Sequence, residues 1–350
     1  MTVEVWAAEN TTPTDIDAAL RNLLEEQHAK GLGVAPARVV NMVTVVDRAW
    51  RGEILNRLER VGRYHPSRTI LCAVEEGRTT LDARATLMAP ANEEGGISAA
   101  EERVEVRVGP GHLKRLDSIV DPLILPDLIT VVWAPHGHDE AIDAMRGLAD
   151  VVLLDSSDLP DMRAAVNRVC DLAAHVYVVD LAWLRSTPWR ERIAATFDPP
   201  LWRPALRQIS HVVVRHRPDS VVSAVLLLGW FASRLGWEPA ALVSENGRHH
   251  ARARAGKVDV RVDLEPAPDL GAPGLGGITV ETTTGVSISL DRASGGLAAK
   301  RRAKDGTESS WVVLGASRGE AGILGEGIRQ ALLRDPTYSP AVSCAKAFLS

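Results

Sequence analysis

The stretch Arg38-Val-Val-Asn-Met-Val-Thr-Val-Val-Asp-Arg-Ala-Trp50-Arg-Gly-Glu-Ile-Leu-Asn-Arg-Leu-Glu-Arg-Val61-Gly-Arg-Tyr-His65-Pro-Ser-Arg68-Thr-Ile-Leu-Cys-Ala-Val74 decides the fold. Arg38 to Val46 is dense in β-branched residues, which predicts a strand. Trp50, Ile54, Leu58 and Val61 recur at helical spacing, and Thr69 to Val74 is again an apolar run of strand length. Strand, helix and strand in that order make a βαβ unit, whose strands lie parallel.

Working outward, Thr14 with Asp17 predicts a capping box for a helix carrying Ile16, Leu20, Leu23, Leu24 and Gln27. Downstream, strands are predicted at Thr80 to Met88, Arg103 to Val108, Ile129 to Trp133 and Val151 to Leu154. Helical stretches fall near His112 to Leu123, near Asp139 to Leu148 and from Pro160 to about His175. Apolar strands alternating with helices predict an α/β class fold, with a mainly parallel sheet covered on both faces. Residues 1–175 are therefore expected to form a Rossmann-like α/β sandwich domain.

The second half reads differently. Ala251, Ala253 and Ala255 alternate with arginines before Gly256-Lys257, and Val258, Val260, Val262 and Leu264 alternate with charges after it. A two-residue loop pairs Ala255 with Val258, Ala253 with Val260 and Ala251 with Val262, which also sets Arg254 opposite Asp259 and Arg252 opposite Arg261. Ile278 and Val280 return as Val286, Ile288 and Leu290 through Thr283-Thr284-Gly285, with glycine where a positive φ is wanted. A strand near His211 to Arg215, a buried helix at Val221 to Leu235, a strand at Ser310 to Leu314 and a helix at Glu320 to Leu333 complete residues 176–350. That half is expected to be an α+β domain with an antiparallel sheet and packing helices. Glu265 to Gly277 and Arg292 to Ser309 read as loops.

Of 350 residues, 45% are hydrophobic and 24% charged, the composition of a globular protein. The net charge of -5 argues against general nucleic-acid or membrane-surface binding, and only six of the forty basic residues are Lys, so Arg supplies most cationic contacts. Cys72, Cys170 and Cys344 lie far apart without a Cys-x-x-Cys, as expected of reduced thiols in a cytoplasmic protein. No basic leader opens the sequence, and the most apolar run, Ser220 to Ser233, is too short for a bilayer span of about 20 residues.

Few motifs carry chemistry. Gly315-Ala-Ser317-Arg-Gly319 matches a nucleophile elbow, yet no histidine follows His250 to take the serine proton, so a tight turn is the better reading. Ser343-Cys-Ala-Lys346 lacks the motifs that give Ser-x-x-Lys meaning. His136 and His138 follow Trp133 at the carboxyl end of a predicted strand, where open α/β sheets bind ligands, but two histidines are too few for a metal. Asp155 and Ser156 also follow a strand, as ligand groups or as the cap of the next helix. His65, Ser67 and Arg68 combine into an anion-site pattern, but at the amino end of the sheet. There is no Walker loop and no Gly-x-Gly-x-x-Gly after the first strand, so no cofactor is expected.

The stretch Asp180 to Asp198 carries Trp183, Arg185, Trp189, Arg190 and Arg192. Thr187 is placed to cap its helix, Pro188 to open it, and Trp189, Ile193 and Phe197 share one face. That face either packs a core or offers aromatic anchors beside guanidinium groups to another protein.

In order along the chain, His65-Pro-Ser-Arg68, Leu125-Pro126-Asp127 leading to Trp133, Leu153-Leu-Asp155-Ser156, Asp180-Leu-Ala-Trp183 through Trp189-Arg190 to Phe197-Asp198, Gly229-Trp-Phe-Ala-Ser-Arg234-Leu-Gly and Leu-Leu-Arg-Asp335-Pro-Thr-Tyr338 resemble the glucose-6-phosphate dehydrogenase assembly protein (OpcA) family. The resemblance implies a non-enzymatic cytoplasmic partner of glucose-6-phosphate dehydrogenase in the oxidative pentose phosphate pathway, with self-association allowed. On that reading, exposed Trp183, Arg185, Trp189, Arg190 and Arg192 meet the partner. The alternative is a sugar-phosphate enzyme or sensor with its site near Trp133, His136 and Asp155, to which His65, Ser67, Arg68, Asp127 and Ser156 are further ligand candidates.

Overall fold

The computed structural model describes residues 2–29, 34–36, 38–62, 65–89, 98–159, 161–314 and 319–350. Its strands are β1 (Thr2–Ala8), β2 (Val34–Pro36), β3 (Val40–Asp47), β4 (Ser67–Val74), β5 (Asp82–Ala89), β6 (Ser98–Val108), β7 (Ile129–Trp133), β8 (Val151–Leu154) and β9 (Tyr177–Asp180), then β10 (Ile209–His216), β11 (Glu238–Pro239), β12 (Val243–Glu245), β13 (Arg248–Ala255), β14 (Val258–Pro266), β15 (Leu275–Thr282), β16 (Ser287–Ala293), β17 (Gly296–Arg302) and β18 (Glu308–Leu314). Its α-helices are α1 (Pro13–Ala29), α2 (Arg51–Gly62), α3 (Leu116–Val120), α4 (Asp139–Ala144), α5 (Met162–Ala173), α6 (Leu181–Arg185), α7 (Thr187–Phe197), α8 (Val221–Leu235), α9 (Gly319–Leu333) and α10 (Tyr338–Phe348). By contacts the chain divides into one unit of residues 1–154, 175–179 and 320–333 and a second of residues 155–174, 180–319 and 334–350.

The first unit is a nine-stranded sheet in the order β1-β5-β6-β4-β3-β7-β8-β9, with β2 beside β6. β6, β4, β3, β7 and β8 pair in parallel, while β1 and β5 add an antiparallel edge. The βαβ expectation for residues 38–74 holds: β3 and β4 pair from Val40 with Ser67 to Asp47 with Val74. Continuous apolar strands result because the sheet buries both faces. Val43, Val45, Ile70, Cys72 and Val132 meet Ile16, Leu20 and Leu23 of α1 in the core, each large side chain contributing about 1.5–3 kcal/mol.

Local signals shift by a residue or two. The capping box expected at Thr14 and Asp17 forms instead between Thr12 and Asp15, whose side chains and amides bond reciprocally, with Pro13 opening α1. The helical region expected at His112 to Leu123 is a short α3 between two 3₁₀ turns. Trp50, expected on the buried stripe of α2, sits in the turn before it and is 45% exposed.

The second unit carries another nine-stranded sheet, ordered β11-β13-β14-β10-β15-β16-β17-β18 with β12 beside β13. Its β13–β14 hairpin has the predicted register at all five named pairs, including Arg252 opposite Arg261. The β15–β16 hairpin pairs Ile278 with Leu290 and Val280 with Ile288, turning at Gly285 with φ of 83°. Two features depart from expectation. β10 pairs in parallel with β14, so the sheet is not wholly antiparallel. β17 also occupies part of the loop expected at Arg292 to Ser309. Leu297 and Ala299 alternate there with residues that stay outside, a pattern diluted by small and charged side chains.

α8 packs on β10 and β14 and crosses α10 closely. A Cβ on Gly229 would lie 2.1 Å from the carbonyl oxygen of Ala341, so only glycine permits that crossing. Of the nucleophile-elbow match, residues 315–318, including Ser317, lie outside the described residues.

Candidate functional site

In the first sheet the chain passes from β3 to β4 on one side and later enters β7 on the other, which puts the strand-order reversal between β3 and β7. The loops after these strands therefore face each other at the carboxyl ends, the usual ligand crevice of an open α/β sheet. One supplies Asp47 and Trp50, the other His136 and His138. The Trp50 and His136 rings stack at 4.7 Å and 29°. His138 Nε2 lies 3.1 Å from Asp47 Oδ1, within charge-contact range though off hydrogen-bond alignment. Gly137 and His138 both take left-handed backbone, with φ of 106° and 61°. Burial lowers the His136 pKa, against the opposing charge of Glu53. Trp133 ends β7 fully inside, its indole nitrogen without a hydrogen-bond partner among the described residues.

The remaining first-unit candidates lie at the amino ends. His65 and Ser67 are half-buried, and the Ser67 hydroxyl is 3.0 Å from that of Thr69. Arg68 is buried, donating from Nε to Glu102 at 3.0 Å and from Nη1 to the Leu123 carbonyl at 3.1 Å, while Arg38 pairs with the same carboxylate. Its guanidinium is thus engaged inside the protein. Asp127 is exposed in a turn that Asn41 anchors, accepting from Leu125 N and donating to the Leu125 and Leu128 carbonyls.

The second unit gathers sequence segments that lie far apart. Asp155 pairs with Arg185, and its carboxylate also accepts from Ser157 N. Asp180 caps α6 and accepts from Ala182 N at 2.9 Å, Ser156 N at 3.1 Å and the Tyr338 hydroxyl at 3.0 Å. Burial, helped by the Asp155 charge, pushes its pKa up to about 6 despite those hydrogen bonds. Trp183 Nε1 donates to Asp335 at 2.8 Å, and the Arg190 guanidinium lies 3.4 Å over the Trp183 ring centroid and 3.7 Å from Asp335. Burial brings the Arg190 pKa down to about 10. Burial opposes charge on Asp335 too, but hydrogen bonds from Thr337 and Trp183, with Arg190 nearby, outweigh it and hold the carboxyl below its usual range.

These contacts depart from the exposed anchors of the assembly reading and follow the core-packing alternative for the same stretch. Trp183, Trp189 and Arg190 are 2%, 4% and 7% exposed. Ile193 and Phe197 are buried on the same stripe. Arg185 is half-buried against Asp155, and Arg192 is half-buried. Nor does Thr187 cap α7: Ser186 precedes the helix and bonds back to the Trp183 carbonyl, while Thr187 accepts from Arg190. Asp335 and Tyr338, which stand among the residues of the family resemblance, complete this network. A Trp and an Arg seven residues apart, with an Asp-x-x-Tyr near the chain end, are its only trace.

Among the described residues, no group of three or more His, Cys, Asp or Glu could hold a metal ion. Likewise none of their helices is long and apolar enough to cross a membrane.

The N-terminal domain model of the glucose-6-phosphate dehydrogenase subunit (OpcA) matches residues 59–171, and its C-terminal domain model matches residues 176–342. An OpcA protein of Synechococcus elongatus, named for the OxPP cycle, is 28% identical over 256 residues, 70% of this chain and 57% of that protein. Its namesake in Synechocystis is 25% identical over 252 residues, 69% of this chain and 51% of that one. The chain thus spans about half the length of these relatives. Among solved structures, a UDP-N-acetylglucosamine 3-dehydrogenase from Acidithiobacillus ferrooxidans is similar at 10% identity and a TM-score of 0.45, covering 89% of this chain and all of that one. A likeness that loose carries no argument about activity.

Proposed function

The chain belongs to the glucose-6-phosphate dehydrogenase subunit (OpcA) family, and from that premise we propose that it is a non-catalytic partner that assembles or activates glucose-6-phosphate dehydrogenase in the oxidative pentose phosphate pathway. The observation that carries this reading is the match of both family domain models, in order, over most of the chain. The family markers also sit mainly in internal polar networks such as Asp180, Trp183 and Asp335, which suits a scaffold that keeps its shape for a partner. The chain acts by binding one oligomeric state of the dehydrogenase better than the others, which raises that state's population. It works in the cytoplasm, and Arg185 and Arg192, both half-buried, are its candidate partner contacts. The test is dehydrogenase turnover and oligomer mass with and without the purified chain. Both should rise at micromolar concentration, and no change in either sinks the proposal.

A second reading rests on the Trp50 and His136 stack at the β3 and β7 carboxyl ends: a small polar ligand, a sugar phosphate among the candidates, binds there as an effector. Calorimetric titration of the chain alone with sugar phosphates decides it, since a pure assembly partner gives no heat.

A further inference from the structure

Within the second unit, α7, the turn after it and α8 enclose a cavity of about 260 Å³. Ile193, Phe197, Leu206, Trp230, Phe231 and Leu235 form its apolar lining. Trp230 and Phe231 meet edge to face at 5.0 Å, and Phe231 stacks on Trp237 at 5.7 Å, so the aromatic wall is braced from behind. Four exposed residues complete it: Ala194, Asp198, Arg203 and Arg234. Arg203 Nε donates to the backbone carbonyl of Asp198 at 2.7 Å, which fixes one guanidinium beside the opening. Leu201, between Asp198 and Arg203 in sequence, is 77% exposed, the largest exposure of any big hydrophobic side chain described.

Size and charge select the occupant. Pockets for drug-sized molecules run to roughly 300–1,000 Å³, so this one lies just below that range and is large enough for one or two side chains. Two guanidiniums against one carboxylate leave the opening net positive. Aromatic and Arg side chains are also the residue types enriched at interface hot spots. We propose that the cavity receives an aromatic or branched aliphatic side chain of the dehydrogenase, from a segment with a carboxylate that Arg203 and Arg234 hold. This deepens the assembly-partner reading and rests on it.

Ala194→Trp tests the idea without disturbing the core, because Ala194 is exposed and a new ring there fills the hollow. Binding of purified dehydrogenase should weaken by tenfold or more, with the thermal midpoint unchanged. The double variant Arg203→Glu, Arg234→Glu should weaken binding similarly and flatten its salt dependence. Wild-type affinity in either folded variant overturns the cavity as the dock while the assembly role stands. If the wild-type chain itself binds no dehydrogenase, the role and the dock fall together. Free 3-phenylpropionate, a small probe of the same chemistry, should compete with the dehydrogenase at millimolar concentration. Tight probe binding that leaves the dehydrogenase undisturbed assigns the cavity to a small molecule and also overturns the proposal.

Discussion

The β3 and β7 crevice and the Asp180, Trp183 and Asp335 network use the same kinds of side chain to opposite ends. In the crevice, Trp50 stacks on an exposed His136 and Asp47 makes one charge contact with His138. In the network, Trp183 and Asp180 are almost wholly buried, and Asp180 satisfies three donors from three different parts of the second unit. Aromatic and charged residues close in sequence therefore say little about exposure by themselves. What separates the two regions is the number of buried polar groups each side chain must satisfy, and removing it should cost accordingly.

The sharpest way to break the contrast is Trp183→Ala, which removes a buried ring, the indole donor to Asp335 and the aromatic face under Arg190. We expect a loss of about 4 kcal/mol in urea unfolding. A loss under about 1 kcal/mol would mean that the network is not structural. Arg68→Ala extends the comparison to the first unit, where a buried ion pair occupies a position that reads as an anion site. Removing one partner of such a pair costs about 3–5 kcal/mol, and we expect about 3 because Arg38 still reaches Glu102. A folded variant of wild-type stability that loses affinity for inorganic phosphate would return Arg68 to the ligand candidates.

The third test is pH. Asp180 titrates near 6 in the folded protein and near 3.9 when unfolded, so between those values the folded state holds more protons. Its contribution to stability is then fully present below about pH 4 and is lost as pH rises through about 6, roughly 3 kcal/mol in all. Asp180→Asn removes this titration. The stability of wild type relative to the variant should fall by about that amount from pH 4 to 7, and a flat difference would show that Asp180 ionises as it does in the unfolded chain.

Legibility in the sequence followed how local the governing physics is. The β13–β14 register was readable because Ala and Val alternate with charges about a two-residue turn, so pattern and turn chemistry specify one pairing. The parallel pairing of β10 with β14 was not, since about forty residues separate strands whose own patterns fit either direction. The same holds at the sites. His136 lies at the carboxyl end of the sheet, as its place after a strand implied, whereas the stack on Trp50 needed the two loops to meet. Burial of Arg190 was beyond local reading, because its carboxylate partner Asp335 stands near the far end of the chain.

The smallest expected effect completes the contrast from the exposed side. Trp50 is about half exposed and touches His136 through one stack, so Trp50→Ala should cost no more than about 1 kcal/mol. Its clearer signature is electrostatic. Burial lowers the His136 pKa, so that the ring takes its proton at a lower pH than an ordinary histidine. Uncovering it should move the midpoint of its imidazole NMR titration upward, toward the ordinary histidine value. An unmoved midpoint would mean that the desolvation comes from the loop itself and not from the indole, and Trp50 would then be free to swing out over a ligand without altering the charge of the histidine beneath it.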